Sequence, residues 1–469
     1  MRQLFHLGCC LLLFINGTMA QSITGDWYGT LDAMGTKLPL VLHFEGSDAQ
    51  LTGSMDSPTQ AAFGITMDKV SLTGNQLRFE ITMMGASYKG TLSELGLSGD
   101  FSQAGFDFPL DFGRTPPAAN GEKRRPQEPI TFAYQREEVT FPGGNEDVVI
   151  AGELTLPTTG EIRQAVILVS GSGGQDRNSE LGQNINHRPF LVLSDFLTKQ
   201  GIAVLRYDDR GIFRSTGDFS TATTADLAED AAAALRYLKS REELQDARFG
   251  IVGHSEGGII GPMVAADHQL ADFLVLLAAP GIPSDSLMII QSQRIQQLMG
   301  VPPVVITRNL GPIKACYAFI KEHPNLNQQE MEAGLVDIIA ASVDELPVPM
   351  QKAITDRQAF AKQQVAGMTG HWFRYFLSIE PKVYLERVSV PTLAMNGELD
   401  AQVPHTENLE AIAKYIGSNG NEQLTLVPLP ELNHLFQTAQ TGAPQEYGEI
   451  EETFSPTAMR IIAHWIQQQ

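Results

Sequence analysis

Cysteine is scarce in this chain: three residues in 469, at Cys9, Cys10 and Cys316. Two of them fall in a segment that reads as a cleavable leader, which would leave Cys316 alone and make an intramolecular disulfide impossible. An exported chain without disulfides fits a bacterial envelope better than a eukaryotic secretory route, and Cys316 reads as a buried apolar filler rather than a reactive thiol. Positive charge is short as well. The net charge is −21, with no long acidic run; nothing offers a basic face for phosphates, so no nucleic-acid partner is expected. The acidity is spread out and reads as a solvated surface. Metal-ligand patterns are missing: there is no H-E-x-x-H, no paired Cys and no Asp/His cluster. G-x-G-x-x-G and a Lys-Ser/Thr phosphate loop are missing too. Neither a metal nor a cofactor is expected.

The first twenty residues carry Arg2, an apolar run from Leu7 to Ile15, and Thr18-Met19-Ala20 as a small-x-small site before Gln21. This pattern predicts a secretory signal peptide over residues 1–20 and a secreted or periplasmic location. The run is too short to cross a bilayer, so no integral membrane segment is expected after cleavage. A lipoprotein anchor at Cys9 or Cys10 fits less well, because either Cys precedes most of the apolar run.

A chain of this length implies more than one domain. Residues 21–113 show short alternating runs separated by turn residues, among them Trp27 to Leu31, Leu38 to Phe44, Gln76 to Ile81 and Tyr88 to Leu92. They predict a small all-β accessory domain, a meander or barrel. Gly25-Asp26-Trp27 resembles the G-x-W that opens lipocalin-type barrels; the plainer reading is a Trp27 that plugs its own core. Residues 114–129 are rich in Pro and charge and read as a linker, with Arg124 and Arg125 a solvated pair. From residue 130 the pattern becomes α/β. A hairpin (Glu137 to Phe141, Val148 to Leu156) precedes near-continuous apolar strands at Ala165 to Val169, Ala203 to Tyr207, Phe249 to Val252, Phe273 to Leu277, Thr392 to Met395 and Leu424 to Val427. Such runs suit a mostly parallel sheet covered on both faces. Thr223 to Asp226 caps an Ala-rich helix. Residues of about 282–388 show helices and Pro punctuation but no strand signal, the place for a helical lid. Its Met and aromatic residues serve mainly as the lid's own core.

One stretch carries chemistry. Gly253-His254-Ser255-Glu256-Gly257 is G-x-S-x-G where an apolar strand runs into a helix. A serine raised on a sharp strand-to-helix turn needs small residues two before and two after it. A serine hydroxyl also needs a base, an orienter for that base, and donors for the developing oxyanion. On a parallel α/β sheet these come in the order Ser, acid, His. Asp400 lies in the loop after Thr392 to Met395, with Glu398 as competitor; Asp400 is favoured, and Glu398 reads as a solvent-facing loop residue. His434 follows the last strand. Oxyanion donors are expected from the amides of Ser172, in the turn Ser170-Gly171-Ser172-Gly173-Gly174, and Glu256.

These stretches, with Arg206-Tyr207-Asp208-Asp209-Arg210-Gly211 and Asn396-Gly397-Glu398-Leu399-Asp400, give residues 130–469 a resemblance to the α/β-hydrolase superfamily. The branch most similar holds serine aminopeptidase (S33)-like hydrolases and dienelactone-hydrolase-like esterases. The resemblance implies an α/β-hydrolase fold with a catalytic triad of Ser255, Asp400 and His434. Two departures stand out: the family's His-Gly reads Ser170-Gly171, and Phe213 replaces a Gly in Asp209 to Ser215. The expected function is a secreted serine hydrolase acting on small-molecule carboxylic esters. A peptidase acting on short peptides is the alternative; it would want an acidic group in the lid for a substrate amine, such as Glu330, Glu332, Asp337, Asp344 or Glu345. A reading of a different class is a ligand-binding protein with an inert hydrolase fold.

Overall fold

The computed structural model describes residues 23–33, 36–47, 50–57, 62–82, 85–93, 96–103, 106–114, 125–145, 147–418 and 420–469. The leader, with Cys9 and Cys10, and linker residues 115–124 lie outside them. The chain divides into two compact units, Met1–Gly121 and Glu122–Gln469.

The first unit is one antiparallel sheet of nine strands: β1 (Gly25–Ala33), β2 (Thr36–Ser47), β3 (Gln50–Ser57), β4 (Ala62–Thr66), β5 (Lys69–Thr73), β6 (Gln76–Ile81), β7 (Ala86–Ser93), β8 (Gly96–Gln103) and β9 (Phe106–Gly113). The spatial order is β4-β3-β2-β1-β9-β8-β7-β6-β5, so the first and last strands of this unit meet in the middle of the sheet. Alternation puts every second residue inside; β6 buries Leu77, Phe79 and Ile81 and exposes Gln76, Arg78 and Glu80. The interior is filled by Trp27, Phe44, Phe79, Tyr88, Phe101 and Phe112, each at most 2% exposed. Trp27 therefore plugs the core of its own unit. Its Nε1 donates to the Ile23 carbonyl at 2.7 Å, and the Arg114 guanidinium lies 3.9 Å from its ring centroid.

On the outer face His43 of β2 sits between two carboxylates, with Nδ1 2.8 Å from Asp26 Oδ1 and Nε2 2.9 Å from Asp56 Oδ2. Partial burial pulls the imidazole pKa down, but the hydrogen bonds and charges of Asp26 and Asp56 outweigh it and hold it above 6.5. A raised folded-state pKa gives stability that is fully present below the unfolded value and is lost as pH rises through the folded one. Melting curves of the full chain and of His43→Gln, taken from pH 5 to 9, should therefore differ most at the acid end and converge as pH rises.

The second unit is an eight-stranded sheet: β10 (Gln135–Pro142), β11 (Val149–Leu156), β12 (Gln164–Val169), β13 (Ala203–Tyr207), β14 (Arg248–His254), β15 (Phe273–Leu277), β16 (Thr392–Gly397) and β17 (Leu424–Leu429). The order is β10-β11-β13-β12-β14-β15-β16-β17. β10 and β11 pair antiparallel with their neighbours, and all later pairings are parallel. β13 and β15 are buried at every position, as strands covered on both faces must be. Helices Pro189–Lys199 and Pro456–Gln467 cover one face through Phe190, Leu193, Leu197, Met459, Ile462 and Ile466. Helices Thr224–Lys239, Gly257–Asp267 and His405–Gly417 cover the other through Ala231, Leu235, Met263, Ile412 and Ile416. Burying each large aliphatic side chain contributes about 1.5–3 kcal/mol. The Ala-rich helix starts as its sequence requires: Thr223 is the N-cap and forms a reciprocal capping box with Asp226.

Residues 125–129 are not linker-like. Arg125 donates to the carbonyls of Ile185, Asn186 and Gly448. Gln127 Oε1 accepts from the Thr453 and Phe454 amides, and Glu128 is buried beside Arg188. The reading of Arg125 as a solvated residue is corrected: its five-donor fork satisfies carbonyls that would otherwise be orphaned. Between β15 and β16, seven helices span Ser284–Leu385. They build a core of their own from Cys316, Tyr317, Met331, Leu335, Phe373 and Leu377. Burial pushes the Cys316 thiol up to about 11, which leaves it an inert apolar filler.

Candidate active site

β14 ends at His254, and helix Gly257–Asp267 begins three residues later. The tightness of this reversal is borne by Ser255, whose φ is +54°. A non-glycine residue in that region costs roughly 1–2 kcal/mol, and such strain gathers at functional sites. The flanking glycines are dictated by space. A Cβ at Gly253 would lie 2.0 Å from the Gly257 carbonyl oxygen, and one at Gly257 would lie 2.2 Å from the Val169 oxygen. Ser255 thus lines a cavity two residues ahead of the helix's first residue, near the positive end of its dipole.

The loops after β16 and β17 meet beside this turn. Gly397 lets them do so: a Cβ there would lie 2.1 Å from the Leu432 carbonyl oxygen. Asp400 is buried, and its Oδ2 lies 2.8 Å from His434 Nδ1. Its Oδ1 accepts the amides of Gln402 and Val403, both at 2.8 Å. Because one oxygen is held by two backbone donors, the other is fixed on the imidazole and sets its tautomer, with the proton on Nδ1 and a lone pair on Nε2. Glu398 is exposed on the same loop. His254 Nε2 donates to the His434 carbonyl at 2.9 Å. Burial first, and the neighbouring His434 second, hold the His254 pKa down at about 3, so that ring is neutral and serves as a strut for the His434 loop.

The turn after β12 passes close to the serine. A Cβ on Gly171 would sit 3.1 Å from Ser255 Cβ. Ser172 is exposed, and Glu256 is the residue at the head of the helix. Neither backbone amide donates to a protein acceptor among the described residues, which leaves both open to a ligand oxygen. What shapes this turn was not legible beforehand. Asp209, just beyond β13, accepts the Gln175 amide at 2.9 Å and the Ser170 hydroxyl at 3.3 Å. Burial pushes the Asp209 carboxyl up to about 8. On either side of it, Asp208 pairs with Arg177 and Arg210 with Asp230, both at 2.7 Å. The run Arg206 to Arg210 is thus a set of buried anchors, and which donor each acid meets has no local signal in the sequence.

Ser255, His434, Gly171 and Ser172 share one cavity of about 400 Å³. Its walls are mostly apolar: Leu181, Ile185, Phe190, Tyr447 and Phe454 from the sheet's loops and helices, and Leu287, Met288, Trp372 and Phe376 from the helical insertion. No Asp, Glu, Lys or Arg is among its described lining residues. Glu330, Asp337, Asp344 and Glu345 are exposed, and Glu332 approaches Lys362 at 3.9 Å; none of the five lines the cavity. The Met and aromatic residues of the insertion divide between two roles, with Met288, Trp372 and Phe376 on the cavity and Tyr317 and Phe373 in the insertion's core. Phe213 is 69% exposed at φ +47° and does not reach the cavity. The guanidinium groups of Arg177 and Arg214 lie 5.7 and 5.3 Å from its ring centroid.

Over residues 187–332 the sequence matches the family model described as serine aminopeptidase, S33. Esterase EstD of Thermotoga maritima is 24% identical over 316 residues, a match that takes in 67% of this chain and 63% of that esterase, so the chain spans less than two thirds of its length. Among solved structures, the Pyrococcus furiosus esterase Pf2001 aligns with a TM-score of 0.42 at 13% identity, covering 72% of this chain and 91% of that one. Dienelactone hydrolase from Anabaena variabilis aligns at 0.39 and 14% identity, covering 71% and 98%. The strand order and the elbow after β14 give residues 122–469 an α/β-hydrolase fold, with an all-β unit ahead of it in the chain.

Proposed function

We propose that the chain is a serine hydrolase that cleaves carboxylic esters through an acyl-enzyme. The observation that carries this reading is the Asp400–His434 hydrogen bond on the same cavity as a serine held at φ +54°. Ser255 Oγ attacks the ester carbonyl while His434 Nε2 takes its proton. Asp400 keeps the other ring proton on Nδ1 and stabilises the imidazolium that forms. The amides of Glu256 and Ser172 receive the oxyanion; each such donor is worth roughly 10²–10³ in rate. Collapse expels the alcohol, which leaves with the proton from His434. Water then repeats the sequence on the acyl-Ser255 ester and releases the acid.

The apolar wall supports an ester over a peptide with a free N-terminus. An aminopeptidase needs a carboxylate to hold the substrate ammonium, and a charge buried without a partner is costly. The test is a panel of p-nitrophenyl esters and aminoacyl-nitroanilides. Turnover confined to the esters supports the reading, and nitroanilide cleavage without ester preference favours the peptidase. Capture of the cavity's occupant without turnover would favour a binding protein. The leader pattern supports export with removal of residues 1–20, and N-terminal sequencing of envelope-fraction protein should begin at Gln21.

A further inference from the structure

The side chain that follows the nucleophile has no part in the chemistry above, yet it is buried and built into a site. Glu256 is 1% exposed. Its carboxyl accepts from Trp372 Nε1 at 2.9 and 3.1 Å, from Thr224 Oγ1 at 2.6 Å and from the side chain of Ser172. No ion pair reaches it among the described residues. A carboxyl taken out of water and given only neutral donors is costly, and burial raises its pKa accordingly. An apolar side chain would fill the space at lower cost, so the group's value lies in what it holds.

It holds the insertion. Trp372 lies in the short helix His371–Leu377, whose Phe373 and Leu377 belong to the insertion's own core. Its indole stacks on Phe376, with ring centroids 5.0 Å apart and planes 22° from parallel, and both rings face the cavity. Thr224 is the first residue of helix Thr224–Lys239; its hydroxyl steadies the carboxyl from the sheet side. One carboxyl thus ties a cavity wall carried by the insertion to the turn that presents Ser255.

We infer that Glu256 is a positioning residue that latches Trp372, and that this latch fixes the Trp372–Phe376 wall and thereby limits the length of the acyl or alcohol chain the cavity takes. The inference rests on the ester-hydrolase reading for its substrate consequence, but the latch is measurable without it.

The test compares Glu256→Leu, Glu256→Gln, Trp372→Phe and the double variant Glu256→Leu/Trp372→Phe in the full chain. Losing a hydrogen bond to a carboxylate shifts an equilibrium by about ten-fold or more. The ratio of kcat/KM for p-nitrophenyl octanoate over acetate should rise by about that factor in Glu256→Leu and in Trp372→Phe, carried by KM. Glu256→Gln keeps an acceptor for the indole and should restore the ratio. The double variant should do no more than the larger single change, as a shared contact demands. NMR of the Trp372 indole N–H gives the readout that needs no turnover: slow hydrogen exchange in the unaltered chain and in Glu256→Gln, fast exchange in Glu256→Leu. Continued protection of that N–H in Glu256→Leu, or additive effects in the double variant, overturns the latch. Ester turnover that survives Ser255→Ala overturns the hydrolase reading instead and leaves the exchange result standing.

Discussion

Ser255→Ala should lower kcat for p-nitrophenyl esters by about 10⁶ and leave only the residual acceleration that binding and the oxyanion donors supply. Alanine keeps the Cβ that already fits beside Gly171, and it removes one hydroxyl with no other change in packing. The fold should therefore persist, and KM should change little. The size of the loss follows from chemistry: without Oγ no acyl-enzyme forms, and water must attack the ester in a single, harder step. Steady-state kinetics of the purified variant checks this, with a circular dichroism melt to show that the protein is folded.

Asp400→Asn should cost about 10⁴ in kcat, for a reason visible in the loop itself. The amides of Gln402 and Val403 both donate to Oδ1. An asparagine must keep its oxygen there, because an amide NH₂ cannot accept. Its NH₂ then faces His434 Nδ1 and can only donate. The imidazole is forced to carry its proton on Nε2, where it cannot take one from Ser255. Geometry survives and the tautomer is wrong. Activity near that of the unaltered chain would show that Asp400 does not orient the base.

Much of this was written in the sequence, for identifiable reasons. Buried parallel strands are near-continuous apolar runs, so β12 to β17 were found within a few residues of their ends. The elbow was legible because its glycines are steric necessities, and Asp400 and His434 because loops after parallel strands fall at one edge of the sheet. In the first unit β4 and β9 went unread. Phe106-Asp107-Phe108-Pro109-Leu110-Asp111-Phe112 alternates as a strand should, but Pro109 argues against one, and the pairing with β8 overrides it. The anchoring of residues 125–129 was hidden because Pro and charge look alike in a linker and in a segment whose partners lie some 320 residues away. The Asp209 and Glu256 contacts join elements distant in the chain, and no local pattern marks which buried acid will meet which donor.

The central claim is that Ser255 is the group that becomes acylated. Treating the full chain with a fluorophosphonate, then mapping the adduct by mass spectrometry of the digest, tests it most directly. A single adduct on Ser255, formed in step with loss of ester turnover and absent from Ser255→Ala, is the result expected. Full inactivation with the adduct on another residue such as Ser172, or undiminished turnover with Ser255 fully modified, would contradict it.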